Sequence, residues 1–404
     1  MHRRWLILGA TAVAIVAVAA VVAVTVGRQT VPAPSASLAP GRPTSPPPSP
    51  APTSESPSPP PIGSPAAPGP SSGPSATPSP SLVPAPLTGR PVSVALAQRP
   101  AIAVMVDDLA AARPQAGFSA ASVIWQAPAE GGIPRYMLVF QETLPVLVGP
   151  VRSARQYFID WAAELHALYV HVGGSPQALA TLGAAGHGEL VYDADEFRYG
   201  GGRYLWRVSD RRPPHNVYTD GEHLAALAHL LGVTAPPPPP GWSFAPDPPL
   251  PERPQGGRLA VAYPANTISY AYDRRTNRYV RSVSGETPQR DAATGEVVTP
   301  ANVVVIWVHL APLTGPGAGK GRLEATLVGS GPAWIAHNGR TIRGVWRKTA
   351  PAAPTRFFEA AGHPVTFTIG QTVIQVVPWG TPVVVRDGTP PRPPTRPAAG
   401  PAAL

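Results

Sequence analysis

The stretch ARQYFIDWAAELHALYVHVGGSPQALATLGA (154–184) decides how the first part of the chain folds. Its apolar residues from Phe158 to Leu165 recur at helical spacing, which predicts a helix over 154–167. LYVHV (168–172) has the apolar, β-branched composition of a short buried strand. Ser175 followed by Pro176 is a favourable helix start, so a second helix is predicted to follow. A helix, a strand and a helix in succession indicate a sheet with helices packed on it.

The residues around this stretch extend the same alternation over 98–234, which we call the N-terminal part. Three further apolar runs have the composition of buried strands: AIAVMV (101–106), SVIWQA (122–127) and RYMLVFQ (135–141). Thr219 and Glu222 have the spacing of a capping box, which predicts a helix that Gly232 ends. The N-terminal part is therefore expected to be a mixed α/β sheet domain.

A Pro-rich connection, 235–256, leads to a second folded stretch at 257–386, which we call the C-terminal part. It consists of short β-prone runs separated by turn signals. Asn338-Gly339 is the clearest of these signals, because Asn-Gly suits a two-residue hairpin turn. The predicted fold class is α+β, with a mixed α/β domain followed by a mainly β domain.

The composition excludes several kinds of protein. The chain has 404 residues, of which 58 are Pro and none is Cys. Without Cys there is no disulfide framework, no thiolate catalysis and no Cys-based zinc or iron–sulfur site. We expect neither a metal nor a cofactor, since no HExxH or His-x-His spacing and no phosphate-binding loop motif occurs.

The N-terminus has the features of a membrane anchor, predicted over 1–28. Arg3 and Arg4 precede an apolar run without charge from Trp5 to Val26, long enough to cross a bilayer as one helix. More positive charge lies before this run than after it, so the positive-inside rule places the following chain outside the cytoplasm. Cleavage near Ala19 and Ala20 is the alternative, in which the run is a signal peptide. The predicted location is the cell membrane, with a single span and an extracytoplasmic folded part.

Two segments have the composition of disordered chain. The first, 29–97, is rich in Pro and Ser, and residues 31–90 alone contain 21 Pro and 13 Ser. Such a segment buries too little apolar surface to offset the entropy of ordering it, so it is expected to be a spacer. The second is the Pro-rich tail, 387–404.

The formal net charge of +9 is concentrated at the ends of the chain. Residues 1–98 contribute +4 and residues 386–404 contribute +2, which leaves +3 for 99–385. The folded portion is therefore nearly balanced, and it has no Lys/Arg-rich run interleaved with aromatic residues. Together with the predicted export, this argues against a nucleic-acid partner.

Ordered motifs in both parts resemble one family. They are RPAIAVMVDD (99–108), ARPQAGFSAASVIWQAPAEGGIPRYMLVFQ (112–141), VGPVRSARQYFIDWAAELHALYVHVGGSPQAL (148–179), RRPPHNVYT (211–219), YDRRTNRYVRSVSGETPQRDAATGEVVTPANVVV (272–305), and the segment 329–378 around AWIAHNGRTIRGVW. These segments are similar to the YerB-like family of bacterial envelope lipoproteins, over essentially all of 98–386. The resemblance implies a mixed α/β fold and an extracytoplasmic location, but no activity. Family members are commonly anchored by a lipid on Cys, which this chain lacks, so Trp5–Val26 would replace that anchor.

The densest group of charged residues predicts an anion-binding site. Glu130 and Arg135 are followed by Arg152, Ser153 and Arg155 at a predicted helix start. Arginines at a helix N-terminus oppose the helix dipole, and an anion between them would offset that cost. Arg also binds carboxylate and phosphate groups in a bidentate manner. The alternative is an internal network, in which Asp107, Asp108 or Glu130 pairs with Arg152 or Arg155.

Gly173, Gly174 and Ser175 form a second candidate anion site at the strand-to-helix junction. The backbone N–H groups of a Gly-rich turn before a helix can bind an anion. The alternative is a tight turn followed by an ordinary N-cap at Ser175.

A third set of residues has the chemistry of an acid–base pair. The candidates are Asp107, Glu130, His171 and His215. His215 follows Pro213-Pro214 and precedes Asn216, which places it on a rigid loop and makes Asn216 a candidate ligand-binding residue. Ser153 and Ser175 lack the G-x-S-x-G context of a serine hydrolase nucleophile.

Three functions agree with these patterns. The leading hypothesis is a membrane-anchored extracytoplasmic protein that binds an anionic envelope ligand, such as a cell-wall glycan, a peptide carboxylate or a phosphate, through Arg135, Arg152 and Arg155. The first alternative is an envelope hydrolase that uses a carboxylate and a His. The second alternative is a scaffold whose β-rich C-terminal part docks a protein partner, which a large exposed apolar patch on that part would favour.

Overall fold

The computed structural model describes residues 81–391. The predicted anchor Trp5–Val26, the spacer up to residue 80 and the tail from residue 392 lie outside the described residues. Within the described range the protein is mostly β with few helices. No helix in that range is long and apolar enough to cross a membrane.

The helices of residues 81–391 are short. In chain order they are α1 (Val94–Ala97), α2 (Gln156–Ala163), α3 (Pro176–Ala185), α4 (Glu196–Tyr199) and α5 (Gly221–Leu230). Single 3₁₀ turns occur at Ala110–Ala112, Glu130–Gly132 and Leu250–Glu252. The helix–strand–helix order predicted from the stretch 154–184 is confirmed by α2, the strand Leu168–His171 and α3.

The strands before the Pro-rich connection mostly have both faces buried. In chain order they are β1 (Leu82–Pro84), β2 (Pro91–Ser93), β3 (Ile102–Asp107), β4 (Val123–Pro128), β5 (Pro134–Phe140), β6 (Leu168–His171), β7 (Tyr192–Asp195), β8 (Trp206–Arg207) and β9 (Val217–Tyr218). Every residue of β3, β4, β5 and β6 is buried. This explains why these strands have continuous apolar runs rather than an alternating pattern.

The strands that follow are longer and more numerous. They are β10 (Ser243–Ala245), β11 (Arg258–Ala262), β12 (Thr267–Asp273), β13 (Arg278–Val283), β14 (Asn302–Pro312), β15 (Leu323–Thr326), β16 (Gly329–His337), β17 (Arg340–Lys348), β18 (Arg356–Glu359), β19 (Thr366–Thr368), β20 (Thr372–Pro378) and β21 (Val383–Arg386). The predicted Asn-Gly hairpin is confirmed between β16 and β17, where Asn338 and Gly339 both have positive φ (50° and 70°).

One sheet runs through both parts of the chain. Its strand order is β18-β17-β16-β14-β20-β4-β5-β3-β6-β7, and β15 pairs with β14. The two parts meet where β20 and β4 pair in parallel, from Thr372 opposite Val123 to Gln375 opposite Gln126. The N-terminal and C-terminal parts therefore share a continuous hydrogen-bonded sheet.

The core lies on both faces of this sheet. On one face α2 packs, with Trp161 stacked on Trp125 at 4.5 Å between ring centroids. On the other face lies a four-stranded sheet, β13-β12-β11-β21, whose Tyr270 joins the same core as Tyr136 of β5. The fully buried Arg281 lies between the two sheets, where it donates to the hydroxyls of both tyrosines.

Several predicted boundaries need correction. Residues 82–97, predicted as the end of the spacer, form the β1–β2 hairpin and α1. The Pro-rich connection contains β10, which pairs with β19. The helix cap predicted at Thr219 is one residue later, because the Asp220 side chain accepts from His223 N while the Thr219 hydroxyl donates to Tyr204 O. The predicted tail is described as far as residue 391, and Thr389 pairs with Gln255.

Candidate functional site

A charged cleft of about 350 Å³ lies at one edge of the large sheet. The parallel strands β3 and β6 both end there, and the antiparallel β5 begins there. In open α/β sheets, ligands bind outside the carboxyl ends of parallel strands, and β3 and β6 are such a parallel pair. The cleft is lined by Asp107, Leu109, Glu130, Ile133, Arg135, Arg152, Ser153, Arg155, Gly174, Ser175, Lys320 and Arg322. The structure thus brings most of the predicted site residues together.

Two of the arginines form ion pairs inside the cleft. Arg152 Nε lies 2.9 Å from Asp107 Oδ2, and Arg155 Nη2 lies 2.5 Å from Glu130 Oε2. The predicted alternative of an internal network is therefore confirmed for these pairs. It is not confirmed for Asp108, which pairs with Arg113 away from the cleft.

The surroundings of both carboxylates favour the ionised form by lowering the pKa. Burial opposes the ionisation of Asp107, but the nearby charges of Arg135 and Arg152 outweigh it and hold its pKa below the ordinary value. Burial also opposes the ionisation of Glu130, and the hydrogen bond and charge of Arg155 lower its pKa. Because both groups are anionic, they fix the positions of the arginines that they contact.

Arg135 is the most buried cation of the cleft, with 7% of its surface exposed. Its Nη1 donates to Ser153 O at 3.0 Å, and its buried Nε has no hydrogen-bond partner within residues 81–391. Burial, followed by repulsion from Arg155, lowers its pKa to about 10. The positive charge of Arg135 is therefore incompletely compensated by the protein itself.

A Gly-rich loop from the C-terminal part adds two further cations, Lys320 and Arg322. The loop GPGAGKGR (315–322) has Gly at every second position, and all four glycines adopt positive φ. Arg322 Nη1 donates to Gly317 O at 2.8 Å, which holds the loop in shape. Sequence reasoning missed both cations, although a run of alternating Gly that carries two positive charges was the available signal.

The charges of the cleft do not cancel. Five cationic side chains line it, against the two carboxylates of Asp107 and Glu130, which leaves a local surplus of three positive charges. This surplus of three positive charges is as large as the net charge of residues 99–385, so the charges of the other residues in that range sum to zero.

The glycine turn at the end of β6 lies beside the cleft, but its first N–H is already bound. Gly173 N donates to Asp195 Oδ1 at 2.8 Å, so a carboxylate of the protein occupies the predicted anion position. Ser175 Oγ accepts from Ala178 N at 3.2 Å, as an ordinary N-cap does. Gly174 and Ser175 form part of the wall of the cleft.

His171 does not pair with either carboxylate of the cleft. It is fully buried, its Nε2 lies 2.6 Å from Asp193 Oδ1 and its Nδ1 lies 2.9 Å from Gly173 O. The prediction that His171 is the acid–base partner of Asp107 or Glu130 is therefore wrong. Strand β6 directs its ring toward β7 instead of toward β3.

His215 is brought to Asp107 as predicted. Its Nδ1 lies 2.7 Å from Asp107 Oδ2, the oxygen that Arg152 also contacts. Within residues 81–391, its Nε2 has no hydrogen-bond partner. Asn216 does not line the cleft, since its amide donates to Val208 O and its oxygen accepts from Arg207, which fixes the loop that carries His215.

Residues 81–391 contain no group of three or more His, Asp or Glu side chains arranged to hold a metal ion. In the described chain the charged groups that line the cleft are guanidinium and ammonium groups and two carboxylates, and the imidazole of His215 contacts one of these carboxylates, Asp107, without lining the cleft itself.

Comparison with known proteins gives consistent matches over both parts. Residues 87–234 match the family described as "Protein of unknown function (DUF3048) N-terminal domain", and residues 259–374 match the corresponding C-terminal domain. The chain is 30% identical over 304 residues to "Putative lipoprotein YerB" of Bacillus subtilis (strain 168). The aligned region covers 73% of this chain and 86% of that protein. The crystal structure of the YerB protein from Bacillus subtilis is similar with a TM-score of 0.66 and 27% identity, covering 76% of this chain and 100% of that one.

Proposed function

Because the chain belongs to the DUF3048 family and carries both of its domains, we propose that it is an extracytoplasmic cell-envelope protein that binds an anionic ligand in the arginine cleft. The observation that carries this proposal is the surplus of positive charge around the buried Arg135. An anion in the cleft would compensate that charge, and the protein itself offers only two carboxylates.

The ion pair with Asp107 leaves Arg152 able to bind a ligand. Arg152 contacts Asp107 through Nε alone, so within the described residues its two terminal nitrogens have no hydrogen-bond partner. Its side chain is also 25% exposed. A guanidinium held by its Nε presents the paired N–H groups that suit a phosphate or carboxylate. Asp107 therefore orients the Arg152 side chain for binding.

The proposed location is supported by two observations. The Bacillus subtilis relative is named as a lipoprotein, a class of protein anchored at a membrane. The apolar run Trp5–Val26 has the length and composition of a single membrane span, and we propose it as the anchor in a chain that has no Cys for lipid attachment.

The test is equilibrium binding of the purified protein to inorganic phosphate, a poly(glycerol phosphate) and soluble peptidoglycan fragments. Arg152 and Arg155 are poor first variants, because their removal also takes the paired arginine away from the carboxylate of Asp107 or Glu130. Lys320→Ala is cleaner, since Lys320 lines the cleft but forms no ion pair among the described residues.

We expect Lys320→Ala to weaken binding of the preferred anion by roughly three- to tenfold, with weaker binding at higher salt for all variants. Arg275→Ala is the matched control, because Arg275 is an exposed cation in the turn between β12 and β13. Equal affinities for wild type, Lys320→Ala and Arg275→Ala with every anion would show that the cleft is not the binding site.

A second candidate function, a hydrolase, is favoured by the Asp107–His215 pair. A carboxylate that holds Nδ1 of a His leaves Nε2 to act as a general base or acid, as in many hydrolytic sites. His215→Gln would then abolish turnover of a bound envelope ligand while its binding persists. Product analysis by mass spectrometry after incubation with peptidoglycan fragments and glycerol phosphate polymers decides the question, and unchanged substrates would exclude this activity.

A further inference from the structure

Two exposed apolar side chains lie on the same edge of the sheet as the cleft. Phe197 is 75% exposed and Leu179 is 41% exposed. Both contact the turn of Gly173 and Gly174 that follows β6. The edge thus has a positively charged segment at β3 and β5 and, beside the Asp195 carboxylate at β6 and β7, an apolar segment formed by Leu179 and Phe197.

Specific contacts hold the apolar segment in place. A Cβ added at Gly173 would lie 3.0 Å from Phe197 Cε2, and one added at Gly174 would lie 3.1 Å from Leu179 Cδ2. The turn therefore lacks side chains at the two positions where these apolar groups approach the backbone. Asp195 ends β7, caps α4 and accepts from Gly173 N at 2.8 Å, which fixes Phe197 beside the turn.

The two segments are continuous, because Gly174 lines the charged cleft and also contacts Leu179. A ligand that fills the cleft and extends past Gly174 would reach Leu179 first and then Phe197. From this juxtaposition we infer that the ligand is an amphiphile with a phosphate headgroup in the cleft and an apolar chain over the glycine turn. This inference rests on the proposed anion-binding function.

The positive charge of the cleft favours a phosphate headgroup over a carboxylate. A phosphate monoester carries about −1.5 to −2 and offers three acceptor oxygens, whereas a carboxylate carries −1 and two oxygens. The surplus of three positive charges matches the phosphate better. The cleft is also concave, with Arg135 at its most buried point, which suits a single headgroup rather than a flat membrane surface.

The exposed apolar side chains favour a ligand that carries an apolar tail. Phe197 is mostly exposed and Leu179 is exposed over about two fifths of its surface, so both offer apolar surface that a ligand would cover. Burial of a surface of this size supports a gain in affinity of roughly tenfold or more.

The experiment compares five probes by calorimetry: inorganic phosphate, butyl phosphate, dodecyl phosphate below its micelle concentration, dodecyl phosphocholine, and vesicles of anionic lipid. We expect affinity for wild type to rise from inorganic phosphate to dodecyl phosphate by about tenfold or more. Phe197→Ser/Leu179→Ser is expected to remove this gain and leave the affinity for inorganic phosphate unchanged. Val146→Ser is the matched control, because Val146 is also 75% exposed but follows the end of β5 at the opposite edge of the sheet.

The outcomes separate this inference from the proposed function. If dodecyl phosphate binds no tighter than inorganic phosphate, or if Phe197→Ser/Leu179→Ser keeps the gain, the inference is overturned while anion binding stands. If dodecyl phosphocholine and dodecyl phosphate bind with equal affinity, and Lys320→Ala changes neither affinity, the ligand does not bind in the charged cleft. Both proposals then fail. Binding to vesicles of anionic lipid without binding to monomeric dodecyl phosphate would overturn the inference in favour of a membrane surface.

Discussion

Lys348→Met tests how the two parts of the chain are held together. Lys348, at the end of β17, is 2% exposed, and its ammonium group donates to Glu164 Oε1 and, at 2.6 Å, to Ala353 O. Glu164, which follows α2, also accepts from the backbone and hydroxyl of Thr355 at 3.0 and 2.6 Å. A residue of the N-terminal part thus lies in a buried ion pair with the C-terminal part.

Removal of Lys348 leaves the Glu164 carboxylate buried without its cation. Breaking a buried pair in this way costs about 3–5 kcal/mol in the free energy of unfolding. Burial already raises the pKa of Glu164 against the opposing effect of Lys348, and the substitution removes that opposing effect. The protonated form of Glu164 is therefore favoured in the folded variant, so the loss of stability should be larger at pH 8 than at pH 5.

Urea unfolding of both proteins at pH 5 and pH 8 measures the difference. Lys320→Met is the matched control, since this exposed Lys has no ion pair within residues 81–391 and should change stability by less than about 0.5 kcal/mol. A second variant, Glu164→Gln/Lys348→Met, should recover part of the loss because it leaves no buried charge. A loss for Lys348→Met below about 1 kcal/mol, or an equal loss at both pH values, would refute the reasoning.

Three other predictions concern single residues. Burial raises the pKa of Asp160 to about 6 against the opposing effect of Lys348, so stability should fall as the pH rises from about 4 to 6. Asp160→Asn should then gain about 1–2 kcal/mol at pH 7.5 and nothing at pH 4, as measured by urea midpoints. Gly344→Ala should cost at least about 3 kcal/mol or prevent soluble expression, because its Cβ would lie 1.9 Å from Phe358 O. Gly183→Ala, in α3 with no atom within 4 Å of the added Cβ, should instead increase the free energy of unfolding by about 0.5–1 kcal/mol, which a higher thermal midpoint would show.

Helix caps and tight turns could be predicted where they depend only on residues that are neighbours in the sequence. The cap at Ser175 and the hairpin turn at Asn338-Gly339 depend on residues next to each other in sequence, and both were found as predicted. The helix start near Thr219 was wrong by one residue, because Asp220 is the stronger cap and the Thr219 hydroxyl has a distant partner in Tyr204.

The joining of the two parts could not be predicted from local patterns. Strand β20 pairs with β4 across about 250 residues of sequence, and nothing in TVIQVV (372–377) specifies which buried strand it will join. The same limit hid Lys320 and Arg322, since the loop that carries them reaches the cleft only because the shared sheet places β14 and β15 there. The Arg cluster was predictable because Arg152, Ser153 and Arg155 are adjacent in the sequence.

The sequence posed ion pairing and anion binding as alternatives, but the geometry makes them compatible. Asp107 engages Arg152 through Nε alone, so it restricts the motion of that side chain without using its terminal donors. Arg155 is held more completely, because its Nη2 donates to Glu130 Oε2 and its Nη1 to Ala154 O. An arginine restrained in this way loses less entropy when it binds an anion than a freely rotating one. The charges that the carboxylates neutralise are replaced by Arg135 and by the two cations of the Gly-rich loop. Removing Asp107 by Asp107→Asn should therefore weaken anion binding although it raises the positive charge of the cleft, whereas stronger binding by this variant would show that charge alone governs the site.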